Sequence, residues 1–273
     1  MTPWSLADWS FEPGVVLGLA AIATAYAVGL RRVRPRTVWD EHIVVTREIV
    51  AFAGAVALLV VALVSPLDTL SDTLFSAHML QHMLLLYIVP PLLLVGTPAW
   101  LIRPALEWPG FKAGLRFVTS PIPAIVLFNA SLVVWHMPGP WQLALVDDPV
   151  HALEHVCFLG TGIIAWWPIF SPLPEVPRMS YPGQMLYLFV QSLVPAVIGA
   201  FITFSGAVIY PLYGETPKLF GLTPLVDQQI SGLLMKLLGT LFLWILVSVR
   251  FFQWFNHEEH EIEKTVDDTP VHR

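Results

Sequence analysis

Five histidines, three methionines and a set of carboxylates sit in or beside apolar runs where leucine would serve a fold equally well. His78, Met79, His82 and Met83 fall in HMLQHM, His136 and Met137 in WHMP, and His151, Glu154 and His155 in HALEH. At about 100° per residue, helical positions four apart lie about 40° apart, so His78 with His82 and His151 with His155 each share a face. Met79 and Met83 widen the first face into an arc about 140° across. Imidazole binds zinc, copper, iron and nickel, whereas thioether sulfur favours Cu(I). The pattern therefore points first to a copper site, Cu(I) above all, with zinc as the other metal. A lone histidine at a helix end is usually a hydrogen-bonding or interfacial residue, and a methionine in a helix interface is as often ordinary gap-filling as a ligand. Two such pairs plus a further imidazole, in a segment where ionisable groups are costly, argue for a shared site.

Metal-bound imidazoles usually donate their second N–H to a carboxylate or carbonyl. Asp68 and Asp72 in SPLDTLSDT, Glu154 in HALEH and Asp227 in DQQIS are the candidates for that supporting role. Asp72 suits helix capping equally well, since it precedes the third apolar run. Lys236 is the only base well inside an apolar run and is expected to pair with an acid rather than reach outward. Cys157 lies two residues past His155, about 200° around the helix, and is expected to pack. As the only cysteine it rules out an intramolecular disulfide. His257, His260 and His272 stand among acids near the C-terminus, where a solvated segment explains them.

The elements that must position these groups follow from composition. Of 273 residues 56% are hydrophobic and 12% charged, and mean hydropathy is +0.68, far from a soluble domain. An integral membrane protein is implied. Net charge is −6, with the acids gathered near the C-terminus and no basic face for nucleic acid. A span needs about 20 mostly apolar residues. Seven runs approach that length, at residues 13–30, 49–64, 74–95, 121–136, 151–170, 184–204 and 231–251, the second and fourth being short. The first lacks a signal peptide's basic flank and cleavage site and is expected to remain as a helix.

Basic loops stay on the cytoplasmic side. With seven spans, Arg31, Arg32, Arg34, Arg36, Arg47, Arg103, Lys112, Arg116, Arg178 and Arg250 all fall on one side. The other side holds only Lys218, with Asp68, Asp72, Asp147, Asp148, Glu215 and Asp227. The expectation is an all-α bundle of seven transmembrane helices over residues 1–255, N-terminus outside and C-terminus cytoplasmic, followed by an acidic, disordered tail over 256–273. All five clustered histidines then lie at the outer end. Pro90, Pro91 and Pro195 predict kinks.

Three segments carry a resemblance: SPLDTLSDTLFSAHMLQHMLLLYIVPPLLLVGTPAW, WHMPGPWQLALVDDPVHALEHVCFLGTGIIAWWPIF and DQQISGLLMKLLGTLFLW. They resemble the hallmark blocks of the CtaG family of bacterial cytochrome c oxidase assembly factors, in its Gram-positive form. The resemblance spans the first to the seventh helix, and His78, His82, His136, His151, His155 and Asp227 occupy its motif positions. It implies a multi-pass protein of the bacterial cell membrane that helps mature a haem-copper oxidase. Its partners would be oxidase subunits and membrane lipids, with an outer-face copper donor and a second copy of the chain as further partners to test. A non-enzymatic copper carrier is the leading reading. A zinc-dependent intramembrane hydrolase is the alternative, with three histidines on the metal, Asp68 or Glu154 activating water and Ser65 or Ser76 assisting. A haem protein using His82 and His155 as axial ligands is another. A copper permease is disfavoured, because the ligands gather at one end.

Overall fold

Apolar runs with proline and small polar residues at their ends break into helices at those residues. A computed structural model describes residues 4–32, 46–215 and 219–267; Arg34, Arg36, Lys218 and His272 lie outside the described residues. Every regular element described is helical: α1 (Pro13–Arg32), α2 (Thr46–Leu63), α3 (Pro66–Ser71), α4 (Phe75–Met83), α5 (Val89–Gly96), α6 (Ala99–Ile102), α7 (Phe111–Val118), α8 (Pro121–Trp135), α9 (Pro138–Val146), α10 (Asp148–Phe170), α11 (Tyr181–Phe204), α12 (Leu212–Glu215) and α13 (Pro224–Asp267).

Among the described residues six helices are long and apolar enough to cross a membrane: Pro13–Arg31, Thr46–Leu63, Phe75–Gly96, Asp148–Phe170, Tyr181–Phe204 and Pro224–His260. Among the same residues a seventh span arises if α7 and α8, bent by 70° at their junction, are taken as one. At 15 residues α8 is about 22 Å long, short of the roughly 30 Å hydrocarbon core. Pro121 and Pro123 cannot donate to the turn before them, so the two pieces do not fuse. Large apolar side chains such as Ile122, Val197 and Phe201 point outward, more than two-thirds exposed. In water such a surface would be costly, and in lipid it is the ordinary one.

The third span shows how a proline pair is accommodated. Between α4 and α5 the chain makes a π-helical turn, Leu84–Ile88. Pro90 has no N–H for the carbonyl of Leu86, and Trp166 supplies one instead, its Nε1–H donating to Leu86 O at 2.7 Å. Gly162 permits this close packing of α10, since a Cβ there would stand 2.9 Å from Pro90 Cγ. The expected kink at Pro90 and Pro91 thus takes the form of a local widening, with its open carbonyl capped from α10.

α11 and α13 cross at a pair of glycines. A Cβ at Gly232 would meet Gly199 O, Thr203 N and Thr203 Oγ1, each at 2.6 Å, and one at Gly199 would meet Gly232 O at 2.9 Å. Small residues let membrane helices approach at backbone distance. α13 also runs further than the sequence suggests. Helix continues from Asn256 to Asp267, where a disordered tail is expected. Polarity there argues against packing but not against helix: glutamates are good helix formers, and Trp254 Nε1–H bonds Glu258 Oε1 at 3.1 Å one turn on.

Candidate metal centre

The beginnings of α4, α10 and α13 and the end of α8 meet at one end of the bundle. Their meeting is fixed by polar side chains far apart in sequence. Asp227, in the first turn of α13, accepts hydrogen bonds from the amides of Phe75 at 2.7 Å and Ser76 at 3.2 Å, the open donors at the start of α4. Gln228 Oε1 receives the Ile209 amide at 2.6 Å while its Nε2 donates to Ala207 O at 3.1 Å. DQQ is therefore a clasp between α13, α4 and the loop after α11. Asp227, expected to support an imidazole, instead holds the helix that carries two of them. Gln81 donates from Nε2 to both Ala62 O and Asp68 Oδ1, each at 2.7 Å, tying α4 to α2 and α3. Asp147 accepts from the Val150 amide at 3.1 Å and starts α10.

On this frame the two i,i+4 pairs face one another. Ring centroids are 4.1 Å apart for His78 and His82 and 4.3 Å for His151 and His155. Between helices, His78 to His151 and His82 to His155 are each 5.5 Å. Four imidazoles thus close a quadrilateral, and matching first with first and second with second shows that α4 and α10 run parallel. Glu154, on the same face of α10, enters the group with its Oε1 3.8 Å from His82 Nε2. Ligand atoms of His78, His151 and Glu154 lie within 4.8 Å of one another. Donors about 2.1 Å from one tetrahedral ion lie about 3.4 Å apart, so small side-chain rotations would close the set.

The chemistry of the donors fits a cation. His78, His82 and Glu154 are at most 1% exposed. Both ring nitrogens of His78 and His82, Nε2 of His136, His151 and His155, and both carboxylate oxygens of Glu154 are buried with no hydrogen-bond partner among the described residues. A buried polar group left without a partner costs about 1–3 kcal/mol, and this set is too concentrated to be incidental. His136 Nδ1 lies 2.8 Å from Leu132 O, which can only accept, so Nδ1 carries the hydrogen and Nε2 presents its lone pair. Tyr210 OH donates to His136 O at 2.8 Å and fixes that turn.

Trp141 is the residue sequence reasoning missed. Only 1% exposed, it lies 4.6 Å from His78, 5.9 Å from His82 and 5.6 Å from His136, centroid to centroid, and roofs the imidazoles. Its place in WHMPGPW, five residues past His136, was the available signal. Phe158 closes the far side, 4.6 Å from His82.

Other expected residues are placed elsewhere. Met79 is fully buried beside Phe75 in the core, while Met83 lines an apolar cavity of about 270 Å³ against α13 with Tyr87, Leu238 and Phe242. Met137 is 52% exposed, next to buried His136. Lys236 does not form the expected ion pair: its ammonium stands over the Phe204 ring at 5.4 Å, and no carboxylate pairs with it among the described residues. Phe204 ends α11 at the histidine end, so this lysine reaches outward along the bundle. Cys157 is half-buried and free, packed against the core.

One cavity, of about 120 Å³, leads to the cluster, lined by Glu12, Asp68, Asp72, Asp148, His151 and His155 among others. Burial holds the Asp68 carboxyl above its ordinary value. Asp72, at the rim, is pushed up to about 6 by partial burial and then by the neighbouring Asp68, Asp148 and Glu12. Carboxylates crowded until they resist ionising form a mouth that favours cations.

A model of the cytochrome c oxidase caa3 assembly factor family matches residues 24–257, a stretch that holds every histidine of the cluster and the Asp227 clasp. The chain belongs to that family. The resemblance seen in its three sequence blocks is thereby borne out. Proteins of Mycobacterium bovis and Mycobacterium tuberculosis, each described as uncharacterized, are 27% identical over 244 residues, covering 83% of this chain and 36% of theirs. An uncharacterized protein of Mycobacterium leprae is 24% identical over 271 residues, covering 93% of this chain and 40% of its own length. The chain thus spans well under half the length of these curated relatives. No solved structure matches it.

Proposed function

We propose that this family member is a non-enzymatic copper carrier of the bacterial cell membrane, which holds Cu(I) among His78, His82, His151, His155 and Glu154 and passes it to a copper centre of a haem-copper oxidase. The observation that carries this reading is the cluster of imidazoles whose ring nitrogens are buried without a hydrogen-bond partner, with a carboxylate among them. In the proposed topology all seven runs span, α7 and α8 together making the fourth. The N-terminus is then outside and the C-terminus cytoplasmic, so the cluster and its acidic mouth open toward the outer face.

Each step falls to named groups. The carboxylates at the mouth raise the local cation concentration. The imidazoles, neutral so that their lone pairs are free, replace the water around the ion. Trp141 and Phe158 keep solvent out. His136, with its tautomer fixed by Leu132, presents its buried Nε2 to the cluster, and the exposed Met137 beside it offers a soft thioether toward the surface, where an oxidase subunit would collect the metal. After anaerobic loading with Cu(I), purified wild-type protein should retain copper, and the His78→Ala/His82→Ala double variant should not. Cells making only that variant should assemble oxidase low in copper. Equal retention by the two proteins would sink the site assignment.

Glu154 favours a second reading. A carboxylate with two histidines is a common zinc set, and the same centre could serve a zinc-dependent hydrolase. Zinc retained in place of copper, with turnover of an amide substrate abolished by Glu154→Gln, would decide for it.

A further inference from the structure

The opposite end of the bundle holds a larger cavity, about 480 Å³, that metal handling does not use. It forms where α2 begins, α5 ends, α10 ends and the later turns of α13 pass. Arg47, Arg178 and Arg250 line it against one carboxylate, Glu48. Arg178 Nε–H donates to Ser171 O at 3.0 Å, and Arg250 Nη1–H to Gln253 Oε1 at 2.7 Å with its guanidinium over the Phe170 ring at 5.1 Å. These contacts aim the two forks without neutralising them. The one arginine ion pair at this end among the described residues, Arg103 with Glu175 at 3.0 Å, involves neither.

Two further donors lack acceptors. Arg250 Nε is buried with none, and Trp100, which lines the cavity and is only 6% exposed, has an equally unpartnered Nε1–H. Three fixed positive charges and a buried indole N–H around one space call for an anion rich in oxygen acceptors. Guanidinium forks match phosphate geometry. Beside the polar Thr97 and Gln253, the wall has an apolar side of Leu94, Val95, Ala99 and Phe170, so the phosphate should carry an apolar part. Basic pockets between membrane helices take anionic headgroups in this way.

We propose that this cavity binds the phosphate headgroup of an anionic phospholipid, held by Arg47, Arg178 and Arg250 with Trp100 Nε1 donating, and with its acyl chains along Leu94, Val95 and Phe170. The site is independent of the metal reading, because it shares no residue with it. The test uses the full chain in an uncharged maltoside detergent, titrated separately with phosphatidylglycerol, phosphatidylcholine and inorganic phosphate, with bound lipid counted by native mass spectrometry. Phosphatidylglycerol should bind saturably and at least about tenfold more tightly than phosphatidylcholine. Arg178→Gln/Arg250→Gln should weaken it about tenfold or more per charge removed. Trp100→Phe, which keeps the ring and loses only the N–H, should weaken it about threefold and covers the case in which the double variant does not fold. Equal binding of the two lipids, or unchanged affinity in Trp100→Phe or in a folded Arg178→Gln/Arg250→Gln, would overturn the proposal. Inorganic phosphate that bound as tightly as the lipid would overturn the lipid assignment in favour of a free phosphate compound.

Discussion

The two ends of the bundle gather polar groups of opposite kinds. At one end, imidazoles that can shed their charge surround a carboxylate behind an acidic mouth. At the other, guanidinium groups that cannot shed theirs surround an indole N–H. Neutral lone pairs suit a cation, and fixed cations suit an anion. Unsatisfied groups are therefore informative by type as well as by number. A fold selected for stability alone would fill either space with leucine.

That contrast can be broken most severely at the histidines. If the imidazoles serve the fold, replacing them should destabilise it; if they serve a ligand, filling the space with apolar bulk should help the empty protein. His82→Leu is expected to raise the melting temperature of the metal-free protein, since it removes two buried unpartnered nitrogens, each group costing about 1–3 kcal/mol. The same change should lower copper affinity about a hundredfold or more. A lower melting temperature in metal-free His82→Leu would make the cluster structural.

The clasp comes next in size. Asp227→Ala leaves the first amides of α4 open and should cost about 1–2 kcal/mol of stability by thermal unfolding. It should also weaken copper binding about tenfold, because α4 loses its register against α10. Asp227→Asn, which keeps one acceptor oxygen, should recover most of both. The arginine pair sharpens the comparison from the far end. Arg178→Gln/Arg250→Gln is expected to leave copper affinity within about twofold of wild type, and a larger change would show that the two ends are coupled.

Asp72 gives the smallest effect and a sign that can be checked. Its carboxyl titrates near 6 in the fold against an ordinary 3.8, so the fold prefers the protonated form. That contribution is whole below about pH 4 and is lost as pH rises through about 6. Metal-free wild type and Asp72→Asn should melt together near pH 4, and the asparagine variant should melt higher at pH 7.5. Copper loading of the variant at pH 7.5 should be a few-fold slower, since the mouth has lost a charge. A variant less stable at pH 7.5 would contradict the crowding of Asp72 with Asp68, Asp148 and Glu12.

Much of the histidine end was legible from spacing. A helical period puts His78 with His82 and His151 with His155, and an intervening span makes their helices parallel, so first meets first. What spacing cannot show is which residue of a distant helix fills an open donor. Asp227 looked like a partner for imidazole and turned out to hold the amides of Phe75 and Ser76, more than 150 positions earlier. Glu154 was read as a support and stands among the ligand atoms, because its i+3 offset from His151 shares the same face. Lys236 illustrates the limit for charges in lipid: a long stem reaches an aromatic ring near the bundle end as readily as it finds an acid. Arg47, Arg178 and Arg250 served in the sequence only to orient the chain. Their convergence depends on where the start of α2, the later turns of α13 and the loop after α10 lie in space, which no local pattern encodes.

The central claim is that four imidazoles and Glu154 form one copper site. X-ray absorption at the copper edge, on protein loaded anaerobically with Cu(I) and washed of free metal, tests it most directly. The expected result is a first shell dominated by nitrogen, with the multiple-scattering signature of imidazole, that vanishes in His78→Ala/His82→Ala and persists in Arg178→Gln/Arg250→Gln. Retention of no copper, or a sulfur-only shell unchanged by the histidine substitutions, would contradict it.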